Sequence, residues 1–224
     1  LKQPLGVAAP IMPFDYPLVL LAWEAGGALA AGCSVIVKPS EYTSLCTLLF
    51  AEAFAPLPDG LFQIVTGDGE AGKHLVAHDD TDVVVFNGSV PVGQSVAETC
   101  GRMMKRSLIE TSDNDPFLVM PSAPIALTAR AASFSAFMNC GQICVSAERF
   151  YVHEEIHDAF VEKLVEEACK IRVGNGLDRV DMGPMVSSKE RDRYEALMKN
   201  ARDQGARAVT GGGRRGEFNR GWFV

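Results

Sequence analysis

No apolar run in this 224-residue chain reaches the length of a bilayer span. The longest, Leu18 to Ala31, is interrupted by Glu24 and by glycines, so no membrane partner is expected. Positive charge is not in excess either: 21 Lys and Arg stand against 28 Asp and Glu, a net charge of -7. That balance provides no basic field for nucleic acid, and the short groupings at Arg102 to Arg106 and at Arg214 and Arg215 read as solvated surface. The six cysteines are scattered without framework spacing, which argues against a stapled secreted fold and for a reducing, cytoplasmic setting. No signal peptide is visible, no internal repeat, and no low-complexity tract. A first residue of Leu rather than Met is expected of a piece of a longer chain. What remains, 47% apolar and 22% charged, is the composition of an ordinary globular protein with room for one large domain or two modest ones.

Short β-rich runs alternate with helical patterns through the first half. Strands are predicted at Gly6 to Ile11, Ser34 to Val37, Leu61 to Val65, Val83 to Phe86 and Arg106 to Ile109. Helices are predicted near Pro17 to Ala31, Tyr42 to Phe54, Ala71 to Ala77 and Val90 to Met103. Five strands with four crossovers imply an α/β fold with a Rossmann-like, doubly wound parallel sheet. The polar stretch Thr111 to Pro116, "TSDNDP", reads as a connection between domains. Beyond it a second α/β domain is expected. Its predicted elements are a strand at Phe117 to Met120, a helix at Ile125 to Phe137, a strand at Arg149 to Val152 and a long amphipathic helix. That helix shows Ile156, Phe160, Val161, Leu164, Val165 and Ala168 on one face. A further helix near Lys189 to Gln204 and a strand-like "RAVT" at 207–210 close the pattern.

Several motifs compete for the chemistry. "VTGDGEAGKH" (65–74) contains G-x-G-x-x-G at Gly67, Gly69 and Gly72 and also G-x-x-x-x-G-K. As a P-loop it fails, because His74 stands where Ser or Thr must hold magnesium. As a Rossmann phosphate cradle it lacks the acid at the end of the next strand, which finishes in Phe86 and Asn87, so a plain strand-to-helix turn is an equal reading. "HEEIH" (153–157) matches H-E-x-x-H, but His153 ends a strand while His157 opens a helix, and no third ligand stands out; no metal is expected. His74 and His78 read as solvated helix-end residues. In "NCGQICVSAERF", Cys144 follows a Gly-Gln turn and precedes a strand, a setting that can expose a thiol, although a cysteine is by default a small buried hydrophobe.

At this point the sequence resembles a family. "FMNCGQIC" is similar to the F-x-x-x-G-Q-x-C signature of the aldehyde dehydrogenase superfamily, with Cys144 on its catalytic cysteine. In the same order, "PLGVAAPIMPFDYPL", "VIVKPSEYT", "VVVFNGSVPVG", "IETSDNDP", "VGNGLDRVDMGPMVS" and "GARAVTGGG" resemble further motifs of that family. The resemblance implies a dinucleotide-binding domain over 1–112 and, over 113–224, part of the catalytic domain that bears the thiol, incomplete at its C-terminus. It places the pyrophosphate at the Phe86 to Ser89 turn, where Gly88 permits close approach and Ser89 donates at a helix start. Lys38 and Glu41 would meet the adenosine ribose, Ser40 between them is a further cofactor-binding residue, and Gly69 would border the adenine. A carboxylate at Glu41 repels a 2'-phosphate, which favours NAD over NADP.

The implied reaction is oxidation of an aldehyde to a carboxylic acid. Cys144 as thiolate attacks the aldehyde, N–H donors steady the oxyanion, hydride leaves for the nicotinamide, and Glu110 activates the water that hydrolyses the thioester. Glu110 also separates this chain from relatives that pass the acyl group to coenzyme A, which usually lack it. The partner would be a small-molecule aldehyde, and a full-length chain is expected to form a homo-oligomer. Three departures stand out. Asp15 replaces the family's oxyanion-stabilising Asn, so it offers no donor unless protonated, while its other role is to cap the following helix. Thr111-Ser112-Asp113 replaces two permissive glycines, so strain is expected there. Third, the chain is shorter than the family's at both ends, as a fragment or a shortened member. The alternative is therefore a dehydrogenase-like module that has lost turnover and keeps a nucleotide-binding or structural role.

Overall fold

The computed structural model describes all residues, 1–224, and divides into two compact units, Leu1–Ser112 and Asp113–Val224. In the first, strands β1 (Val7–Ile11), β2 (Ser34–Val37), β3 (Phe62–Ile64), β4 (Val83–Gly88) and β5 (Arg106–Thr111) form one wholly parallel sheet in the order β3-β2-β1-β4-β5. Helices α1 (Pro17–Ala30), α2 (Ser44–Ala51), α3 (Gly69–Ala77) and α4 (Val90–Arg102) make the crossovers. A parallel sheet must be covered on both faces, and the inner strands β2, β1 and β4 read as near-continuous apolar runs for that reason. Leu20, Leu21 and Ala25 of α1 pack with Ala8, Val35 and Val37 on one face. Val84 and Phe86 of β4 pack with Val76 of α3 and Val96 and Cys100 of α4 on the other. The fold is the doubly wound sheet expected from the sequence.

Local chemistry sets the element ends. Pro17 opens α1, where a missing N–H costs nothing. Gly32 (φ +84°) closes it in a Schellman arrangement: its N–H donates to Leu29 O at 2.9 Å and that of Cys33 to Ala28 O at 3.0 Å. The N-cap of α1 is Tyr16 and no side-chain cap bond is made, so Asp15 does not cap the helix as the sequence suggested. The helix predicted over Tyr42 to Phe54 is α2 followed by a 3₁₀ turn at Glu52–Phe54.

In the second unit, β6 (Asp115–Val119) and β7 (Ala147–Val152) pair in parallel across α5 (Ile125–Phe137), and α6 (His157–Cys169) and α7 (Ser188–Asp203) follow. Ser187 and Glu190 form an S-x-x-E start for α7, with Ser187 Oγ accepting from Glu190 N at 3.2 Å. The core is small: Val119, Ala129, Ala132 and Phe160, flanked by Phe117, Phe150, Ile156 and Leu164. The apolar stripe of α6 therefore faces inward at Ile156, Phe160 and Leu164. "RAVT" forms no strand; it lies exposed in an irregular stretch, because no neighbouring edge pairs with it. Phe160 is 1% exposed, so Phe160→Ala is expected to cost about 3–5 kcal/mol. A urea titration of the folded fraction checks this, with a shifted midpoint and an unchanged slope as the expected result.

Candidate active site

The carboxyl ends of the strands gather most of the residues singled out in the first unit. Beyond β1 comes Asp15. Beyond β2 come Lys38, Ser40 and Glu41, with Lys38 bridged to Ile11 at the end of β1. Asn87 and Gly88 end β4 beside Glu110 and Thr111 of β5 in register. The strand order reverses between β1 and β4, whose following helices depart to opposite faces, and a crevice outside such strand ends is where doubly wound sheets take ligands.

Lys38 is buried at 4% exposure, and its Nζ donates to Pro39 O at 2.5 Å. Burial pushes its ammonium down from the usual lysine range, while the Glu41 and Asp68 carboxylates pull it back up. A Cβ on Gly72 would stand 3.3 Å from Lys38 Cδ, so this glycine lets α3 lie close against the lysine stem. Ser40 is buried and holds a turn: its Oγ accepts from Tyr42 N at 3.3 Å and its carbonyl from Ser44 Oγ at 3.0 Å. The glycine-rich stretch is a strand-to-helix turn. Asp68 caps α3 by accepting from Glu70 N at 2.9 Å, and a carboxylate of the protein itself occupies the start of that helix. The same cap starts the helix at Gly69, two residues ahead of the sequence prediction. His74 and His78 are exposed at its far end.

The start of α4 differs. Ser89 is its N-cap and makes no side-chain cap bond, and no acidic residue lies in the first turn. The space that a side chain on Gly88 would need is filled by the Phe86 ring, 2.7 Å from the ideal Cβ. A helix start without an acid, preceded by a glycine turn at the strand-order reversal, fits a dinucleotide phosphate by its donor groups and dipole. Lys38 and Glu41 fit a ribose.

Glu24 was missed by sequence reasoning. It lies on α1, accepts from Asn87 Nδ2 at one carboxylate oxygen, and has its other oxygen, Oε2, buried with no hydrogen-bond partner. Burial raises its carboxyl to about 7; the Glu110 carboxylate adds to the rise, and the bond from Asn87 opposes it.

In the second unit Cys144 is half-buried in a turn, two residues beyond Gln142 and three ahead of β7. The loop before it carries the backbone strain: Asn139 (φ 49°), Cys140 (φ 61°) and Gly141 (φ 70°) are all left-handed. Strain expected at Thr111 to Asp113 is not found, because none of those three residues has a positive φ. Side chains hold the loop instead. Asn139 Nδ2 donates to Gln142 O at 3.2 Å and Gln142 Nε2 to Asn139 O at 3.0 Å. Gln142 Oε1 accepts from Val186 N at 3.1 Å, and Cys140 Sγ donates to Gly183 O at 3.1 Å. Burial pushes the Cys140 thiol up to about 11, so it stays a neutral donor. The bidentate Arg172–Asp181 pair, at 2.9 and 2.8 Å, ties the segment that offers Gly183. His153 and His157 are exposed, one capping a 3₁₀ turn after β7 and the other opening α6.

Residues of the motifs that resemble one enzyme family thus lie at strand ends in the first unit and, in the second, on and just after a braced loop. Comparison with known proteins agrees: residues 1–224 match the model of the aldehyde dehydrogenase family, and the chain belongs to that family. It is 41% identical over 221 residues to 3-sulfolactaldehyde dehydrogenase of Priestia megaterium, covering 97% of this chain and 46% of that protein. Among solved structures, PnpE in complex with nicotinamide adenine dinucleotide matches with a TM-score of 0.95 at 33% identity, over 99% of this chain and 47% of that one. Betaine aldehyde dehydrogenase from Staphylococcus aureus in complex with NAD+ matches with a TM-score of 0.92 at 30% identity, over 98% and 45%. The chain spans about half the length of the curated relatives it matches.

Proposed function

We propose that the protein oxidises an aldehyde to a carboxylic acid with NAD, through a thiohemiacetal and then a thioester on Cys144. The observation that carries this reading is Cys144 itself: its motif resembles that of the family's catalytic cysteine, and it is half-exposed beside a strained, side-chain-braced loop. Cys33 and Cys100, by contrast, lie in the core. Cys144 as thiolate adds to the carbonyl carbon, and N–H donors stabilise the alkoxide that forms. The start of α4 with Ser89 would hold the pyrophosphate, Lys38 and Glu41 the adenosine ribose, and Gly69 would border the adenine. When bound, the dinucleotide supplies the hydride acceptor that oxidises the adduct to the thioester. Glu110 takes a proton from the water that cleaves the thioester, releasing the acid and the thiol.

The test is incubation of the protein with NAD and a panel of aldehydes while reduced-nicotinamide absorbance is followed. A rise that depends on both aldehyde and NAD is expected, and none across the panel would overturn the reading. NAD is preferred to NADP because Glu41 is an exposed carboxylate. Glu41→Gln removes a repulsion of about 1 kcal/mol in a solvent-exposed setting, so kcat/KM for NADP relative to NAD is expected to rise roughly fivefold. The second reading, a module without turnover, is favoured by Asp15 at the place of the amide donor.

A further inference from the structure

Two carboxyl groups of the first unit flank Asn87, and the reaction above uses only one. Asn87 and Glu110 are register partners on adjacent parallel strands, so their side chains emerge on the same face of the sheet. That is the face covered by α1, because Ile109 and Phe86, one residue away on each strand, point into the cluster on the other side. Glu24 comes down onto it from α1. Its Oε1 accepts from Asn87, and its Oε2 is buried with no hydrogen-bond partner.

Few charges are near enough to relieve Glu24. The strands and helix packed against α1, namely β1, β2 and α2, carry one titratable side chain among them, the thiol Cys46. β4 carries none. On β5 the charged residues are Arg106, at the opposite end of the strand, and Glu110, the group whose charge Glu24 feels. A buried carboxylate oxygen with neither cation nor donor beside it is costly, whereas a neutral O–H there is much less so.

We infer that Glu24 is a positioning residue for Glu110: its carboxyl, held beside Asn87 with one buried oxygen unpartnered, takes up or releases a proton and so sets the charge that faces Glu110 across Asn87. This rests on the role proposed for Glu110, and it adds a partner that sets that role. Once Glu24 loses its proton, a like charge faces Glu110 on the same side of the sheet. The value of about 7 for Glu24 puts this change at neutral pH. Its sign on stability follows. The folded state holds the proton where the unfolded chain, at the usual 4.5, has released it, so this group lowers stability as pH rises from about 4.5 to about 7.

The experiment needs no turnover, so its failure is separable from failure of the proposed reaction. Infrared spectra of the full chain are recorded across pH for the wild type, Glu24→Gln and Glu110→Gln. A protonated-carboxyl band that disappears with a midpoint near 7 is expected in the wild type and absent in Glu24→Gln. In Glu110→Gln the midpoint is expected to fall by about one pH unit, because the like charge is gone. A merely structural Glu24 would not titrate with its neighbour. No such band at neutral pH in the wild type, or a midpoint unmoved in Glu110→Gln, overturns the inference. If Glu24→Gln does not fold, the wild type and Glu110→Gln still decide it.

Discussion

Replacing Cys144 by alanine is expected to lower aldehyde oxidation by on the order of 10⁴-fold or more, the scale of losing the nucleophile from a covalent mechanism. Stability should change little, because the side chain is half-buried and outside the three core clusters. The two outcomes separate chemistry from folding, and the same thermal melt with no turnover is the expected pair. Mass spectrometry provides a second check: an aldehyde-derived acyl adduct trapped on the wild type should be missing from the variant. Turnover within a factor of ten of the wild type would remove Cys144 from the mechanism.

The second large effect runs the other way. Asp15→Asn is expected to raise kcat by about 100-fold, since one oxyanion donor is worth 10²–10³ in acyl-transfer chemistry and an ionised carboxylate supplies none. KM should move much less, because the missing interaction is made chiefly in the transition state. Asp15 is not the N-cap of α1. A kcat unchanged or lowered in Asp15→Asn would mean that the oxyanion is held elsewhere. It would also weaken the case that Asp15 has silenced the enzyme.

The parts of the fold that were legible in the sequence share a cause. Buried parallel strands must be apolar throughout, so "SVIV" shows its bounds without ambiguity, and α5 is predicted to the residue. Errors came where local signals conflict with context. Gly69 and Gly72 are weak helix formers, which hid the first turn that Asp68 caps. "RAVT" is β-prone, yet a strand needs a partner, and nothing in the residues says that none is beside it. Among the candidate residues, Cys144, Glu110 and the strand-end group stand out by motif. Glu24 does not: an acid in an apolar helix looks like its solvent face. Asn87 and Glu110, which make it unusual, lie 63 and 86 positions away in sequence. The strain at Asn139 and Cys140 was equally hidden, because a backbone held by Gln142 and Gly183 leaves no pattern in the local residues.

That backbone has a consequence for the protein's evolution in the laboratory. Glycine is the residue that adopts a positive φ without penalty, so selection for heat resistance alone should enrich it at positions 139 and 140. Each such exchange would also discard a side chain that clamps the turn ahead of the thiol. Variants gathered that way are expected to survive hotter and work worse, with the losses concentrated in these two codons.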